Sequence, residues 1–213
     1  MYLPKHFEET RDEVMHGLIR THPLGLLVTQ GVHGLDANPL PWLLDAGAGD
    51  GPHGTLRGHV ARANPVWREA DGAEVLVLFQ GAQAYVSPGW YPSKAEHGKV
   101  VPTWNYAVVQ ARGRLRAVDD AAWLHRLVGR LTDTHEATQP RPWQVGDAPA
   151  DFIEKLLDAI VGLELEITAL SGKWKVSQNR GAADREGVAQ GLAARADAPA
   201  QAMAALVRAA DPR

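Results

Sequence analysis

The stretch that decides the fold is TWNYAVVQARGRLRAV, from Thr103 to Val118. Its second half alternates strictly: apolar or small residues stand at Val109, Ala111, Gly113 and Leu115, and polar ones at Gln110, Arg112, Arg114 and Arg116. A period of two residues is typical of a β-strand with one buried and one solvated face. One solvated face is common in antiparallel sheets. The stretch therefore predicts a long amphipathic strand.

Other short strands are predicted before and after this one. Apolar runs at residues 24–30 and 74–80 indicate buried strands, and the alternating LELEITA at 163–169 indicates another. Residues 36–44 contain Pro39 and Pro41, so this segment can only form an edge or interrupted strand. The strands cluster in the middle of the chain.

Helices are predicted at the ends of the chain and between the strands. Helical spacing of apolar residues indicates helices over residues 7–20 and from Asp119 to about His135. This order predicts an α+β fold, an antiparallel barrel or sandwich with flanking helices. From Ser171 the composition turns to alanine and other helix formers, so we expect a barrel domain over 1–170 and a helical segment over 171–213, with a break near 197–199.

Composition excludes several classes of site. There is no cysteine, which rules out disulfides, thiolate metal sites and thiol nucleophiles. The nine histidines are scattered without a metal-binding motif, so no metal site is predicted. The net charge of -3 argues against a broadly basic nucleic-acid surface. No strand is followed by a GxGxxG turn and helix, and no GxxxxGK[ST] motif occurs, so nucleotide binding of those two kinds is not predicted. No long apolar stretch occurs, so we expect a cytoplasmic protein with no membrane contact.

Two segments combine aromatic and polar residues with prolines. YVSPGWYPSK at 85–94 would present Ser87, Trp90 and Lys94 on a rigid loop, which suits a ligand wall. The alternative is a stiffened turn whose tryptophan fills the core. In KVVPTWNY at 99–106, the polar residues Thr103 and Asn105 flank Trp104 at the start of the long strand.

Two further segments are basic. SGKWKVSQNR at 171–180 has three positive and no negative side chains and contains Lys173, Trp174, Lys175 and Gln178. A phosphate would be its natural partner, although a solvated basic turn is the alternative. In GHVARANP at 58–65, a strand end carrying His59 leads into a helix that Asn64 would cap, while Arg62 would fork to a phosphate.

Taken in order and spacing, these motifs resemble one family. From Met1 to about Leu192, the sequence resembles the PaiB-type FMN-binding negative transcriptional regulators. The motifs that carry this resemblance are MYLPKHF, GHVARANP, AYVSPGWYPSK, VPTWNYAVVQARG and LSGKWKVSQNR. The resemblance implies a Greek-key-like split β-barrel of the kind found in pyridoxamine-phosphate-oxidase-like flavoproteins. It also implies a homodimer with FMN at the subunit interface. We expect the helical segment over 171–213 to pack on the barrel or on the dimer partner.

The resemblance assigns cofactor contacts by segment. It implies phosphate binding at His59 to Asn64 and further flavin contacts at the other three motifs. The cofactor-binding candidates are His59, Arg62, Asn64, Ser87, Trp90, Lys94, Thr103, Trp104, Asn105, Lys173, Trp174, Lys175 and Gln178. No catalytic residue is assigned.

Three functions fit the sequence. The first is an FMN-binding repressor, although no basic helix-turn-helix pattern is visible, so DNA contact would use Arg112, Arg114 and Arg116 or residues 173–180. A solvated strand face also explains those arginines. The second is a flavin-dependent oxidoreductase of a small substrate, whose cofactor would carry the redox chemistry. The third is a dimeric scaffold acting through protein partners.

Overall fold

The computed structural model describes residues 1–47 and 51–210, and these form eight strands and seven helices. The strands are β1 (Glu8–Glu9), β2 (Leu24–Gly31), β3 (Gly34–Pro41), β4 (Leu43–Asp45), β5 (Thr55–Ala61), β6 (Glu74–Val86), β7 (Thr103–Val118) and β8 (Ile160–Lys175). The helices are α1 (Asp12–Thr21), α2 (Val66–Glu69), α3 (Ser93–His97), α4 (Ala121–Glu136), α5 (Ala150–Asp158), α6 (Ala182–Ala193) and α7 (Ala198–Ala209). The predicted α+β class is confirmed.

The strands of the main sheet follow the order β3-β2-β6-β7-β8-β5-β4, and β1 pairs with β8. β2 and β3 form an antiparallel hairpin that runs from Leu24 opposite Pro41 to Gly31 opposite Gly34. β3 ends the order, as its two prolines predict, because proline has no N–H to donate to a further strand.

The chain divides into two compact units. The terminal unit comprises Met1–His22, Gln80–Val109 and Ser171–Arg213, and the central unit comprises Pro23–Phe79 and Gln110–Leu170. The composition changes at Ser171, which is also where the chain passes from the central unit into the terminal unit. β8 nevertheless continues as a strand to Lys175, and the first helix after it begins at Ala182. Residues 211–213 of the expected helical segment lie outside the described residues.

In the central unit, the predicted alternation of β7 is observed. Ala111 and Leu115 are fully buried, whereas Arg112, Arg114 and Arg116 are exposed. Gly113 allows a close approach to β8, because a Cβ there would lie 1.9 Å from the backbone oxygen of Glu166. Any side chain at this position would push the two strands apart.

In the terminal unit, α6 and α7 build a second apolar core. It contains Val86, Tyr91, Val188, Leu192 and Met203, all 3% exposed or less. Asp197 ends the break between the two helices, because its side chain accepts a hydrogen bond from the amide of Ala200 and so caps α7. None of the described helices is long and apolar enough to cross a membrane.

Candidate functional site

The end of β8 carries a cluster of cations in the terminal unit. The Lys175 ammonium donates a hydrogen bond to the hydroxyl of Thr103 and another, 2.6 Å long, to the backbone oxygen of Trp104. An ammonium has three donors, so one remains for a ligand. Lys175 is half-buried and lies beside the start of β7. Its two hydrogen bonds therefore bring together two of the four predicted segments, 99–106 and 171–180.

This cluster has an excess of positive charge. Among the described residues, no carboxylate pairs with Lys173, Lys175 or Arg180. Burial lowers the pKa of Lys175, and repulsion from Lys173 and Arg180 lowers it further. A bound anion would relieve that repulsion, so the electrostatics favour an anionic ligand.

The two lysines of the cluster are held differently. The ammonium of Lys173 donates a 3.0 Å hydrogen bond to the backbone oxygen of Tyr2 and lies 5.7 Å from the Tyr2 ring centroid and 5.4 Å from that of Tyr106. Lys173 is only 8% exposed. It is therefore enclosed by cation–π and carbonyl contacts, while Lys175 is the more accessible cation.

The turn after β8 is fixed by buried polar side chains. Ser177 has a left-handed backbone with φ of 67°, which costs a non-glycine residue roughly 1 kcal/mol. Its hydroxyl accepts a 2.9 Å hydrogen bond from the Asn105 amide, which is 1% exposed. Gln178 accepts from the amide of Val176 and donates to the backbone oxygen of Trp174. Asn105 and Gln178 thus shape the turn that carries the cations.

Exposed aromatic surface lies beside the cluster at the start of β7. Trp104 is 54% exposed, and its ring contacts that of Tyr85 edge-on at a centroid distance of 6.2 Å. Trp174 lines a small depression with Val176, Gln178 and the end of α7. The exposed Trp104 indole gives a flat apolar surface on the residue whose backbone oxygen accepts from Lys175.

Residues 87–94 are mainly engaged in the packing of the terminal unit. The Ser87 hydroxyl accepts a hydrogen bond from the Gly89 amide. Trp90 packs on α6, where a Cβ at Gly191 would lie 2.3 Å from its ring. Trp90 is partly buried in this packing, and the predicted ligand contacts at Ser87, Trp90 and Lys94 stay predictions. The Lys94 side chain is exposed and makes no hydrogen bond or ion pair with the described residues.

The other three candidates lie in the central unit. Arg62 forms a two-pronged ion pair with Asp119, with N–O distances of 2.7 and 2.8 Å, and also donates to backbone oxygens of Asp158 and Ile160. The Arg62 guanidinium, which is predicted to bind a phosphate, thus pairs with a carboxylate of its own chain. Asn64 accepts from the Val66 amide at the start of α2 and donates to Asn38. The buried Nδ1 atom of His59 has no hydrogen-bond partner among the described residues.

The terminal cluster fits the chemistry of FMN. A phosphate dianion needs cations and hydroxyl donors, which Lys175 and Thr103 provide; no carboxylate in the described part of the chain pairs with Lys175. The isoalloxazine needs a flat apolar wall, which Trp104 provides. Over the part of the chain that the structure describes, no group of three or more acidic or histidine side chains is placed to hold a metal ion.

Two residues of the cluster are not among the predicted cofactor contacts. The rings of Tyr2 and Tyr106 enclose Lys173. Tyr2 belongs to the quoted motif MYLPKHF, but no local pattern shows that it reaches β8. The pairing of β1 with β8 brings it there.

Comparison with known proteins identifies relatives over most of the chain. The model of a family described as "Putative FMN-binding domain" matches residues 1–169. An uncharacterized protein of Aspergillus fumigatus is 36% identical, with 90% of each chain covered. Protease synthase and sporulation protein PAI 2 of Bacillus subtilis is 31% identical, with 97% of this chain and 96% of the relative covered.

The fold is shared with solved structures of low sequence identity. The flavocytochrome Anf3 of Azotobacter vinelandii superposes with a TM-score of 0.59 at 13% identity, covering 81% of this chain and 72% of that one. The predicted split-barrel fold is confirmed. The family match confirms the predicted family resemblance and the predicted cofactor, FMN.

Proposed function

This chain belongs to the FMN-binding domain family, and from that premise we propose that it is a cytoplasmic negative transcriptional regulator of the PaiB type that binds FMN at a homodimer interface. The observation that carries the flavin part is the cation cluster at the end of β8, which has no carboxylate partner within residues 1–47 and 51–210. Bound FMN supplies redox chemistry, while the residues of this chain bind and orient it.

In the proposed site, charged and hydroxyl groups bind the phosphate of FMN, and an aromatic side chain packs against its ring system. Lys175 and Thr103 hold the phosphate, with Lys173 adding to the positive potential from its enclosed position. Trp104 packs against the isoalloxazine. Asn105 and Gln178 fix the turn, so they act by positioning the cations. The contacts that the family resemblance implies at His59, Arg62 and Asn64 stay a prediction.

Exposed apolar side chains in the terminal unit support the dimer. The rings of Tyr85 and Trp104 are in contact and are 40% and 54% exposed, and Val101, three residues before Trp104, is 63% exposed. Large exposed apolar and aromatic patches are typical of protein interfaces. A second copy that covers this patch would also enclose the flavin.

A flavin-dependent oxidoreductase is the second candidate, and one observation favours it. Arg114 donates to the backbone oxygen of Gly72, and Arg116 pairs with Glu164 at 2.6 Å. Two of the three strand arginines expected to meet DNA are therefore engaged with their own chain. Phosphate contacts by free cations supply most of the affinity of DNA-binding proteins.

Flavin binding is tested by titration of the purified chain with FMN, followed by absorbance and by sedimentation. We expect a flavin spectrum and the mass of a dimer. Lys175→Met should weaken FMN binding at least tenfold, because it removes a charge-assisted hydrogen bond. Lys99→Met is the matched control, because Lys99 is an exposed lysine four residues before β7 begins at Thr103. This variant should bind FMN as the unmodified chain does.

Two experiments on the FMN-bound protein distinguish the regulator from the oxidoreductase. Salt-sensitive retention of promoter DNA supports the regulator. Bleaching of the flavin by NAD(P)H at catalytic rates, without DNA retention, supports the oxidoreductase instead. A chain that binds no FMN contradicts both, and equal affinities of the two lysine variants contradict the proposed phosphate site.

A further inference from the structure

The central unit contains a cavity distinct from the cation cluster that is proposed to hold the FMN phosphate, although His59, a predicted flavin contact, is one of its lining residues. Its volume is about 330 Å³, at the lower end of the range for small-molecule sites. Most of its wall comes from α4, and the remainder from the end of β3, from β5 and from the loop after α4. The lining residues are Pro41, His59, Val128, Leu131, Thr132, His135, Glu136 and Trp143.

The walls of the cavity are largely apolar and aromatic. Pro41, Val128 and Leu131 give aliphatic contacts. Trp143 is 43% exposed, so a large indole surface is left facing solvent at this site. Exposed aromatic area in a concave site favours a ligand with a flat apolar body.

The charge of the cavity is set by one carboxylate. Glu136 is held in place, because its Oε2 accepts a 3.0 Å hydrogen bond from the Trp143 backbone amide. Burial lowers the pKa of His59, so this imidazole is neutral at pH 7 and does not offset the carboxylate. His135 and Thr132 also line the cavity. An anionic ligand would therefore meet a like charge, and a cationic one an opposite charge.

We propose that this cavity binds a small protonated aromatic amine, with its ring against Val128, Leu131 and Trp143 and its ammonium at Glu136. The ammonium would also lie near the Trp143 indole, which adds a cation–π contact. This site is separate from the cation cluster of the terminal unit, and the two sites prefer ligands of opposite charge.

Benzylamine is the probe for this site, with benzyl alcohol as its uncharged match. Calorimetric titration of the full chain at pH 7 should show benzylamine binding about fivefold more tightly than benzyl alcohol, the value of one partly exposed ion pair. Glu136→Gln should abolish this preference. Glu154→Gln, which changes an exposed glutamate of α5 in the same unit, should retain it. Equal affinity for the two probes, or no binding at millimolar concentration, would overturn the proposal.

Two further measurements separate the site from flavin binding. Val128→Trp should fill the cavity and prevent binding of both probes. If Val128→Trp does not fold, the loss of benzylamine preference in Glu136→Gln is the deciding test. Saturating FMN should leave benzylamine affinity unchanged. Competition between them would assign the cavity to the flavin and overturn the amine proposal. A chain that binds benzylamine but no FMN would contradict only the proposed function.

Discussion

The two units of the molecule treat positive charge in opposite ways. In the central unit, arginines alternate with carboxylates in a chain from Arg130 to Asp45, Arg57, Glu164 and Arg116. In the terminal unit, the cations at the end of β8 meet only carbonyl, hydroxyl and aromatic groups among the described residues. Paired charge contributes to stability, whereas uncompensated charge raises the free energy of the ligand-free protein and favours anion binding.

The largest expected effect is on stability in the central unit. The Arg57 guanidinium contacts both Asp45 and Glu164 and is 22% exposed, so Arg57→Met leaves two partly buried carboxylates with weaker pairing. We expect the free energy of unfolding to fall by about 2 kcal/mol, less than for a fully buried pair because solvent screens the charges. Lys175→Met should cause no comparable loss. Urea denaturation measures both.

Arg114→Met is the control for this comparison. Its guanidinium is exposed and donates to the backbone oxygen of Gly72, so its loss breaks no ion pair among the described residues. If Arg57→Met were no more destabilising than Arg114→Met, the charge chain would contribute nothing to stability. If Lys175→Met destabilised as much as Arg57→Met, the contrast between the units would be wrong.

A smaller effect is expected from acid. Burial alone would raise the pKa of Asp45, but hydrogen bonds and attraction from Arg130 and Arg57 outweigh it and hold this pKa below its ordinary value. Burial would likewise raise the pKa of Glu164, but hydrogen bonds and attraction from Arg116 and Arg57 lower it below its ordinary value. The folded state therefore binds fewer protons than the unfolded state near pH 4, and the stability from these groups is lost as pH falls below that value.

Asp45→Asn tests this pH dependence. The variant should be less stable at pH 7, by about 1 kcal/mol or less after screening, and should lose less stability than the unmodified chain between pH 5 and about pH 3. Unfolding measured at several pH values gives both slopes. Parallel slopes would show that Asp45 does not contribute to the acid sensitivity of the central unit.

The contrast also shows what the sequence can predict. The alternation in β7 and the prolines of β3 act within a few residues, so local patterns predict both strands and the edge position correctly. Partners distant in sequence are not visible in this way. The guanidinium of Arg62 is predicted to bind a phosphate, and in the structure it pairs with Asp119, 57 positions later. No local pattern in the sequence indicates that pairing.

The basic segment illustrates the same limit at the site. Sequence treats Lys173 and Lys175 alike, since both flank Trp174 and both point to an anion. The structure separates them, because Tyr2, 171 positions away, encloses Lys173 and leaves Lys175 the more accessible. The pairing of β1 with β8 brings the first residues of the chain to the last strand and so contributes to this difference, together with the ring of Tyr106.

The smallest expected effect is a proton taken up with the flavin. Because burial, Lys173 and Arg180 lower the pKa of Lys175, a fraction of the free protein carries a neutral amine at alkaline pH. A phosphate beside it raises that pKa again, so FMN binding should draw in a fraction of a proton, and affinity should fall as pH rises through the pKa of the free protein. Calorimetry near pH 9 in buffers of different ionisation enthalpy measures this uptake. Lys175→Met should abolish it, while Arg57→Met should not, because the arginines of the central unit keep their protons. Uptake that persists in Lys175→Met would place the titrating group elsewhere and remove Lys175 from the phosphate site.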